Sequence, residues 1–127
     1  MLNWILIANL ALLASVPGTE SPRVGKQIDS FRLRDQLGTW HSLSDYQSRK
    51  VIVVAFLGAE CPLAKLYGVK LGELARKYEH QGVAFLGIDA NRQDSITEIQ
   101  HFATKHKISF PILKDTDNKV ADQFAAI

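Results

Sequence analysis

Residues 51–61 read Val-Ile-Val-Val-Ala-Phe-Leu-Gly-Ala-Glu-Cys, and Pro62 follows them. The first seven residues are apolar and rich in β-branched side chains, which is typical of a strand buried on both faces. From Pro62 onward the apolar residues recur at every third or fourth position, which predicts an amphipathic helix ending near Gly82. The expected inner face of this helix comprises Leu63, Leu66, Tyr67, Leu71, Leu74, Ala75 and Tyr78.

The same change of period occurs a second time downstream. Residues 83–88 repeat the buried-strand pattern, and Ser95 with Glu98 forms a Ser-x-x-Glu capping box that predicts the start of a second helix. The inner stripe of that helix is predicted to be Ile96, Ile99, Phe102 and Ala103.

Shorter elements flank these two units. Residues 110–113 predict a third strand, which Pro111 places at a sheet edge because proline cannot donate to a central ladder. A last helix is expected over 118–126, and a hairpin around the turn at 35–38, followed by one turn of helix over 42–46. Two successive strand-helix-strand units predict an α/β fold with a mostly parallel sheet flanked by helices.

Composition restricts the function classes. The chain has 127 residues, 46% of them hydrophobic and 22% charged, which suits one globular domain. Its 15 basic and 13 acidic residues are scattered, so we expect no nucleic-acid partner. His101 and His106 are five apart, a spacing that does not place both rings on one helix face, so we expect surface histidines, no metal site and no cofactor.

The N-terminal residues predict export. The apolar run from Trp4 to Leu13 has the length of a signal-peptide h-region and is too short to span a bilayer comfortably. We therefore expect a signal peptide over 1–18, a linker over 19–27, a domain over 28–127, and no stable membrane span in the mature chain. The destination would be periplasmic or extracellular. The n-region lacks Lys and Arg, and a buried N-terminal helix is the alternative.

Cys61 is the one cysteine of the chain, so neither an intrachain disulfide nor a thiolate zinc cluster can form. Pro62 suits the first position of a helix, which places the thiol at a helix N-terminus and at the carboxyl end of a strand. Unpaired backbone N–H groups there favour the thiolate. The thiol is therefore either a reactive group or, as the alternative, inert packing.

The segment Phe-Leu-Gly-Ala-Glu-Cys-Pro-Leu-Ala at 56–64 resembles the active-site segment of the thioredoxin-like superfamily. The motifs after it, Gly-Ile-Asp-Ala-Asn at 87–91, Phe-Pro-Ile-Leu-Lys-Asp at 110–115 and Asn-Lys-Val-Ala at 118–121, resemble those of the redoxin, or AhpC/TSA, branch. The resemblance covers roughly residues 25–127. It implies a thioredoxin-like fold and a thiol-dependent oxidoreductase.

In that reaction Cys61 would attack a peroxide or a disulfide, and an external thiol or thioredoxin-like reductant would resolve the product. Pro62 would set the start of the helix. The candidates for supporting roles are Glu60, Ala64 and Lys65, and Lys65 could reach a Cys61 thiolate or sulfenate. The candidates for substrate or partner binding are Gly58, Asp89 and Asn91, for which capping and turn formation are the commoner uses.

Departures from the family pattern keep a second function open. Ala64 stands where a dithiol oxidoreductase would carry its resolving cysteine, and Lys65 where a related copper chaperone would carry its second one. Val54 and Gly58 occupy the places of a proline and of a threonine or serine in peroxiredoxins. The carboxylate of Glu60 would disfavour a neighbouring thiolate. The alternative is a non-catalytic thioredoxin-like module that binds or tethers a partner in an exported assembly.

The length of the chain is the last departure. The resemblance implies a cis-proline facing the cysteine, two further strands and a closing helix, all beyond Ile127. Without those strands, residues 51–57 would present an open apolar edge. We therefore expect this sequence to be a fragment, or one part of a longer or truncated gene product.

Overall fold

A computed structural model of the chain describes residues 24–126. The expected signal peptide and most of the expected linker lie outside the described residues. The elements, in chain order, are β1 (Arg32–Arg34), β2 (Trp40–Ser42), a 3-10 turn (Leu43–Tyr46), β3 (Val51–Phe56), α1 (Pro62–Tyr78), a second 3-10 turn (Glu79–Gln81), β4 (Val83–Asp89), α2 (Ile96–Lys105), β5 (Ile112–Lys114) and α3 (Lys119–Phe124).

The strands form two sheets. β1 and β2 make an antiparallel hairpin, while β3, β4 and β5 form a parallel sheet in that order. Side chains of β4 point alternately to two apolar clusters: Phe85 belongs to the cluster that includes α1 and α2, and Ile88 to the one that includes Phe31 and α3. The predicted α/β class, with a parallel sheet flanked by helices, is therefore confirmed.

The expectation that β3 is buried on both faces is wrong for the residues described. Val51 is 52% and Phe56 36% exposed, and the strand is half-buried between them. Within 24–126, β3 pairs with β4 alone, whereas β4 is enclosed by a strand on either side and is buried from Ala84 to Asp89. Pro111, predicted to mark an edge, directly precedes β5 at the opposite edge of the sheet.

Helix α1 also differs from its prediction. Its buried residues are the small Ala64, Gly68, Gly72 and Ala75, while Leu63, Leu66 and Tyr67 are 65%, 69% and 56% exposed. Small residues are needed because the helix lies against the segment after α2. A Cβ on Gly72 would be 2.6 Å from the Lys107 carbonyl oxygen. Ala75 is buried, and Leu71 and Leu74 are half-buried against the core, as expected.

Helix α2 follows its prediction closely. The Ser95 hydroxyl accepts a hydrogen bond from the Glu98 backbone N–H at 3.2 Å, and the Glu98 carboxylate accepts one from the Ser95 N–H at 2.7 Å. Three residues of the predicted inner stripe are buried, namely Ile99, Phe102 and Ala103. The fourth, Ile96, is the first residue of the helix and is 41% exposed, because the helix contacts the core only from its next turn onward. None of the helices described here is long and apolar enough to cross a bilayer.

Candidate active site

Cys61 lies where β3 passes through a short loop into α1. The Leu57 N–H donates to the Ile88 carbonyl at 2.8 Å, which carries the pairing with β4 one residue beyond the strand. A turn closed by the Cys61 N–H on the Gly58 carbonyl at 3.0 Å then directs the chain into the helix. The sequence thus brings the one thiol to the carboxyl end of the parallel sheet, where ligands commonly bind.

The backbone of Cys61 serves as the N-cap of α1. It is extended (φ −69°, ψ 122°), its side chain makes no capping hydrogen bond, and the residue is exposed. Pro62 occupies the first helical turn, where the missing N–H costs nothing. The residue is therefore open to solvent at the N-terminus of α1, the end at which a helix dipole favours an anion.

The residues expected to support the thiol have different surroundings. Lys65 Nζ lies 2.9 Å from Glu60 Oε2, and both side chains are substantially exposed. Lys65 therefore pairs with Glu60 and not with Cys61, and in doing so it offsets the negative charge next to the thiol. Ala64 is buried in the core behind the first turn of α1.

Asp89 and Asn91 lie at the end of β4. Asp89 is only 1% exposed, and its Oδ1 accepts hydrogen bonds from Lys114 Nζ and from the Asn91 N–H, both at 3.0 Å. Burial raises the pKa of Asp89 to about 6, the adjacent Asp94 adds to the rise, and Lys114 opposes it. Asp89 therefore lies in a buried pair with Lys114 and has almost no surface to offer a substrate.

Two further residues of this region, Lys114 and Asp94, were missed by the sequence analysis. Lys114 is directly opposite Asp89 in the β4–β5 register. Opposite charges at the ends of adjacent predicted strands are a signal that could have found it. Asp94 is 3% exposed, and its Oδ2 accepts a hydrogen bond from the Ala59 N–H at 2.7 Å. No sequence pattern indicates that contact, which joins residues 35 positions apart.

Two concavities flank the Cys61 loop. One, of about 300 Å³, lies at the carboxyl ends of β3 and β4 and is lined in part by Gly58, Asn91 and Asn118; we call it the strand-end crevice. The other, of about 440 Å³, lies between α1 and α2, with Glu60 and Lys65 on one wall; we call it the helix groove. Two of the expected binding residues, Gly58 and Asn91, therefore share one crevice.

His101 and His106 both line the helix groove, although their spacing predicts different helix faces. The reason is that α2 ends at Lys105, so His106 is its C-cap and lies outside the regular helix. The pKa of His106 is lowered by desolvation and then by the positive charges of Lys105, Lys65 and His101.

Comparison with known proteins places this geometry in context. Residues 24–127 match the AhpC/TSA family. The chain is 28% identical over 102 residues to Peroxiredoxin Bcp of Escherichia coli, covering 80% of this chain and 64% of that protein. It is also 28% identical over 102 residues to Thiol-disulfide oxidoreductase ResA of Halalkalibacterium halodurans, covering 80% of this chain and 56% of the relative.

Among solved structures, Peroxidoxin BcpB of Mycobacterium tuberculosis superimposes with a TM-score of 0.70 at 27% identity, covering 80% of this chain and 64% of the other. The chain thus spans less than two thirds of the length of each of these three proteins. The thioredoxin-like fold implied by the sequence is confirmed.

Proposed function

Because this chain belongs to the AhpC/TSA family, we propose that it is a thiol-dependent oxidoreductase in which Cys61 is the nucleophile. The observation that carries the proposal is the position of Cys61. It is an exposed thiol at the N-cap of α1, at the carboxyl end of the parallel sheet. Relatives named for peroxide chemistry and for thiol-disulfide chemistry both support this general class.

With a peroxide, the Cys61 thiolate attacks one oxygen, the O–O bond breaks, and the leaving oxygen takes up a proton. The sulfur is oxidised to a sulfenic acid and the peroxide is reduced to an alcohol or water. An external thiol then attacks the sulfenic sulfur and releases water. A second external thiol attacks the resulting mixed disulfide, which releases Cys61 and an external disulfide.

With a disulfide, the Cys61 thiolate attacks one sulfur, the S–S bond breaks, and one external thiolate leaves. The mixed disulfide is resolved by an external thiol, as in the peroxide reaction. Both routes need an external resolving thiol, such as a thioredoxin-like reductant, because the chain has no second cysteine. The same catalytic sulfur and the same resolving step serve both substrates.

The other residues have lesser roles in this proposal. Pro62 fixes the start of α1 and Ala64 seats its first turn in the core. Glu60 and Lys65 set the local charge, while Gly58 and Asn91 offer the strand-end crevice to a substrate or partner. The Asp89 carboxylate accepts a hydrogen bond from the Asn91 backbone N–H and so holds Asn91 in place. The unit that carries these roles is the domain expected over 28–127.

The decisive experiment compares the wild type with Cys61→Ser in turnover of hydrogen peroxide and of a small disulfide, with dithiothreitol as the external thiol. We expect the variant to lose turnover and the wild type to yield one trapped sulfenate or mixed disulfide per chain by mass spectrometry. Retained turnover in a folded Cys61→Ser variant would exclude the proposal.

A pair of charge variants tests the setting of the thiol. Glu60→Gln removes the carboxylate beside Cys61 and should raise the rate of alkylation at pH 7 about threefold. Lys65→Met leaves that carboxylate without its ion-pair partner and should lower the rate of alkylation by a similar factor. Equal rates in both variants would mean that the Glu60–Lys65 pair has no influence on the thiol.

Exposed apolar residues next to Cys61 favour a second candidate, a non-catalytic binding or tethering module. Leu63, Leu66 and Tyr67 present an apolar surface on the outer side of α1. In this function Cys61 reacts no faster in the folded domain than in the chain unfolded by urea. Measuring both labelling rates therefore separates the two candidates.

Export is part of the proposal for this chain. The apolar run from Trp4 to Leu13 is its basis. Expression with and without residues 1–18, followed by fractionation and N-terminal sequencing, tests it. A mature N-terminus beginning near residue 19 in the exported fraction supports export, and retention of Met1 in the cytoplasm contradicts it.

A further inference from the structure

A buried carboxylate lies behind the loop that carries Cys61. Asp94 precedes α2 and is 3% exposed. Its Oδ2 accepts a hydrogen bond from the Ala59 N–H at 2.7 Å, and its Oδ1 accepts one from Asn91 Nδ2 at 3.1 Å. Each carboxylate oxygen therefore has a defined partner, and the side chain joins the loop after β3 to the loop after β4.

The contact with Ala59 falls inside the turn that aims Cys61. Gly58 and Cys61 close that turn through a backbone hydrogen bond of 3.0 Å. A Cβ built on Gly58 would lie 3.4 Å from the Cys61 Cβ and 3.6 Å from Asp94 Oδ2. Asp94 is thus packed against the same turn that sets the direction of the thiol.

Asp94 is itself held by a polar network. Lys114 Nζ, from the end of β5, contacts both Asp89 Oδ1 and the Asn91 carbonyl oxygen. The Asn91 N–H donates to Asp89 Oδ1, which fixes the residue whose amide reaches Asp94. Buried polar groups are costly unless they are hydrogen-bonded. In this network both Asp94 oxygens and Asp89 Oδ1 have partners, whereas the buried Asp89 Oδ2 has none among the described residues. The hydrogen bonds that are made hold a defined arrangement of the two loops.

We propose that Asp94 is a positioning residue for Cys61. Its hydrogen bond to the Ala59 N–H holds the turn at 58–61 in the orientation that presents the thiol at the N-terminus of α1. Asn91 and the Asp89–Lys114 pair keep Asp94 in place. The inference rests on the proposed function of Cys61 as a nucleophile, and it adds a residue that does not itself touch the substrate.

The test measures the second-order rate of Cys61 with 4,4′-dithiodipyridine, a neutral disulfide that releases a coloured thione, from pH 5 to pH 9. Asp94→Ala removes the acceptor of the Ala59 N–H, and we expect the rate at the high-pH plateau to fall at least tenfold. Asp94→Asn keeps an acceptor oxygen and should stay within threefold of the wild type. Urea unfolding of both variants, measured beside the rates, separates a change at the thiol from a general loss of stability.

Asp35 offers a matched control. It is also a buried carboxylate that accepts backbone hydrogen bonds in a loop, from the Leu37 and Thr39 N–H groups, both at 2.9 Å. Its hydrogen-bond partners Leu37, Thr39 and His41 all lie within the β1–β2 hairpin, and its backbone pairs with Leu113 of β5. Asp35→Ala should therefore destabilise the domain but leave the Cys61 rate within twofold of the wild type.

A wild-type rate in folded Asp94→Ala, or an equal loss in Asp35→Ala, would overturn the proposal. If Asp94→Ala does not fold, Asn91→Ala keeps the carboxylate and removes its second hydrogen bond. A decrease of about threefold supports the proposal, and an unchanged rate contradicts it.

The proposed function is judged separately, by turnover with peroxide or disulfide. If the wild type shows no turnover but Asp94→Ala still lowers the Cys61 rate, only the proposed function is rejected. If the wild type turns over substrate but Asp94→Ala leaves the Cys61 rate unchanged, only the positioning role is rejected.

Discussion

Helices α1 and α2 contribute to the same apolar cluster on one face of the parallel sheet, yet they begin and pack in different ways. α2 buries large apolar residues, Ile99 and Phe102, and begins at Ser95 with both hydrogen bonds of a capping box. α1 buries alanine and glycine and begins at Cys61 with no side-chain cap. The helix with the complete cap contributes to stability, whereas the one without a cap leaves a sulfur atom open to solvent.

The buried faces differ because of what each helix lies against. Gly68 and Gly72 face the segment that follows α2. Gly68 leaves room for the His106 side chain, and Gly72 allows the helix to approach the Lys107 backbone. The larger residues of α1 are consequently turned outward near Cys61. These outward residues give α1 an apolar surface next to Cys61.

Truncating one apolar residue in each helix should give the largest contrast. Ile99 is 1% exposed, so Ile99→Ala leaves a cavity and should cost about 3 kcal/mol of unfolding free energy. Leu66 is 69% exposed, and Leu66→Ala should cost less than about 0.5 kcal/mol. Urea unfolding of both variants gives the two values. Similar losses would mean that the face of α1 has been assigned wrongly.

The close approach of α1 predicts the next largest effect. Gly72→Ala would bring a Cβ within 2.6 Å of the Lys107 carbonyl oxygen. Overpacking of this kind costs about 1–3 kcal/mol, and the better helix propensity of alanine returns about 1 kcal/mol. We expect a net loss of up to about 2 kcal/mol by urea unfolding.

Gly68→Ala is the control for that variant. Its Cβ would lie 3.1 Å from the His106 Cβ, a contact that a small shift relieves. The gain in helix propensity should then nearly cancel the cost and leave stability within about 0.5 kcal/mol of the wild type. A stabilising Gly72→Ala would show that the helix does not approach Lys107 so closely.

This contrast also separates what the sequence could predict from what it could not. Periodicity and capping residues located α1 and α2, and the resemblance around Cys61 implied the fold. The burial of Ala64, Gly68 and Gly72 was not predictable, because apolar spacing assigns large residues to the inner face and does not show that glycines permit a closer contact. The Ala59–Asp94 hydrogen bond was equally hidden, since it joins a backbone group to a side chain on a separate loop.

Removing the cap of α2 should have a smaller effect. Ser95→Ala deletes the acceptor of the Glu98 N–H and should cost about 1 kcal/mol. Thr97→Ala, an exposed change in the same turn, should cost less than about 0.5 kcal/mol.

The hydrogen bonds from the Ser95 N–H and hydroxyl lower the pKa of Glu98. The stabilisation from these hydrogen bonds to the Glu98 carboxylate is present above the pKa that Glu98 has in the unfolded chain. It is lost as the pH falls through the pKa of Glu98 in the folded domain. The cost of Ser95→Ala should therefore be smaller at pH 3 than at pH 7.

Giving α1 the cap that it lacks should produce the smallest effect and the most informative one. Cys61→Ser replaces an exposed thiol by a favoured N-cap residue, and because little apolar surface is lost, we expect stability to rise by about 0.5 kcal/mol. Cys61→Ala, which adds no acceptor, should not share the gain. Thermal and urea unfolding of both variants measure the difference.

A gain of stability in Cys61→Ser together with lost turnover would mean that the chain keeps a weaker cap at this helix because the thiol is needed for chemistry. A loss of stability in Cys61→Ser would instead mean that the sulfur packs against the domain, which would weaken the argument for an open, reactive thiol.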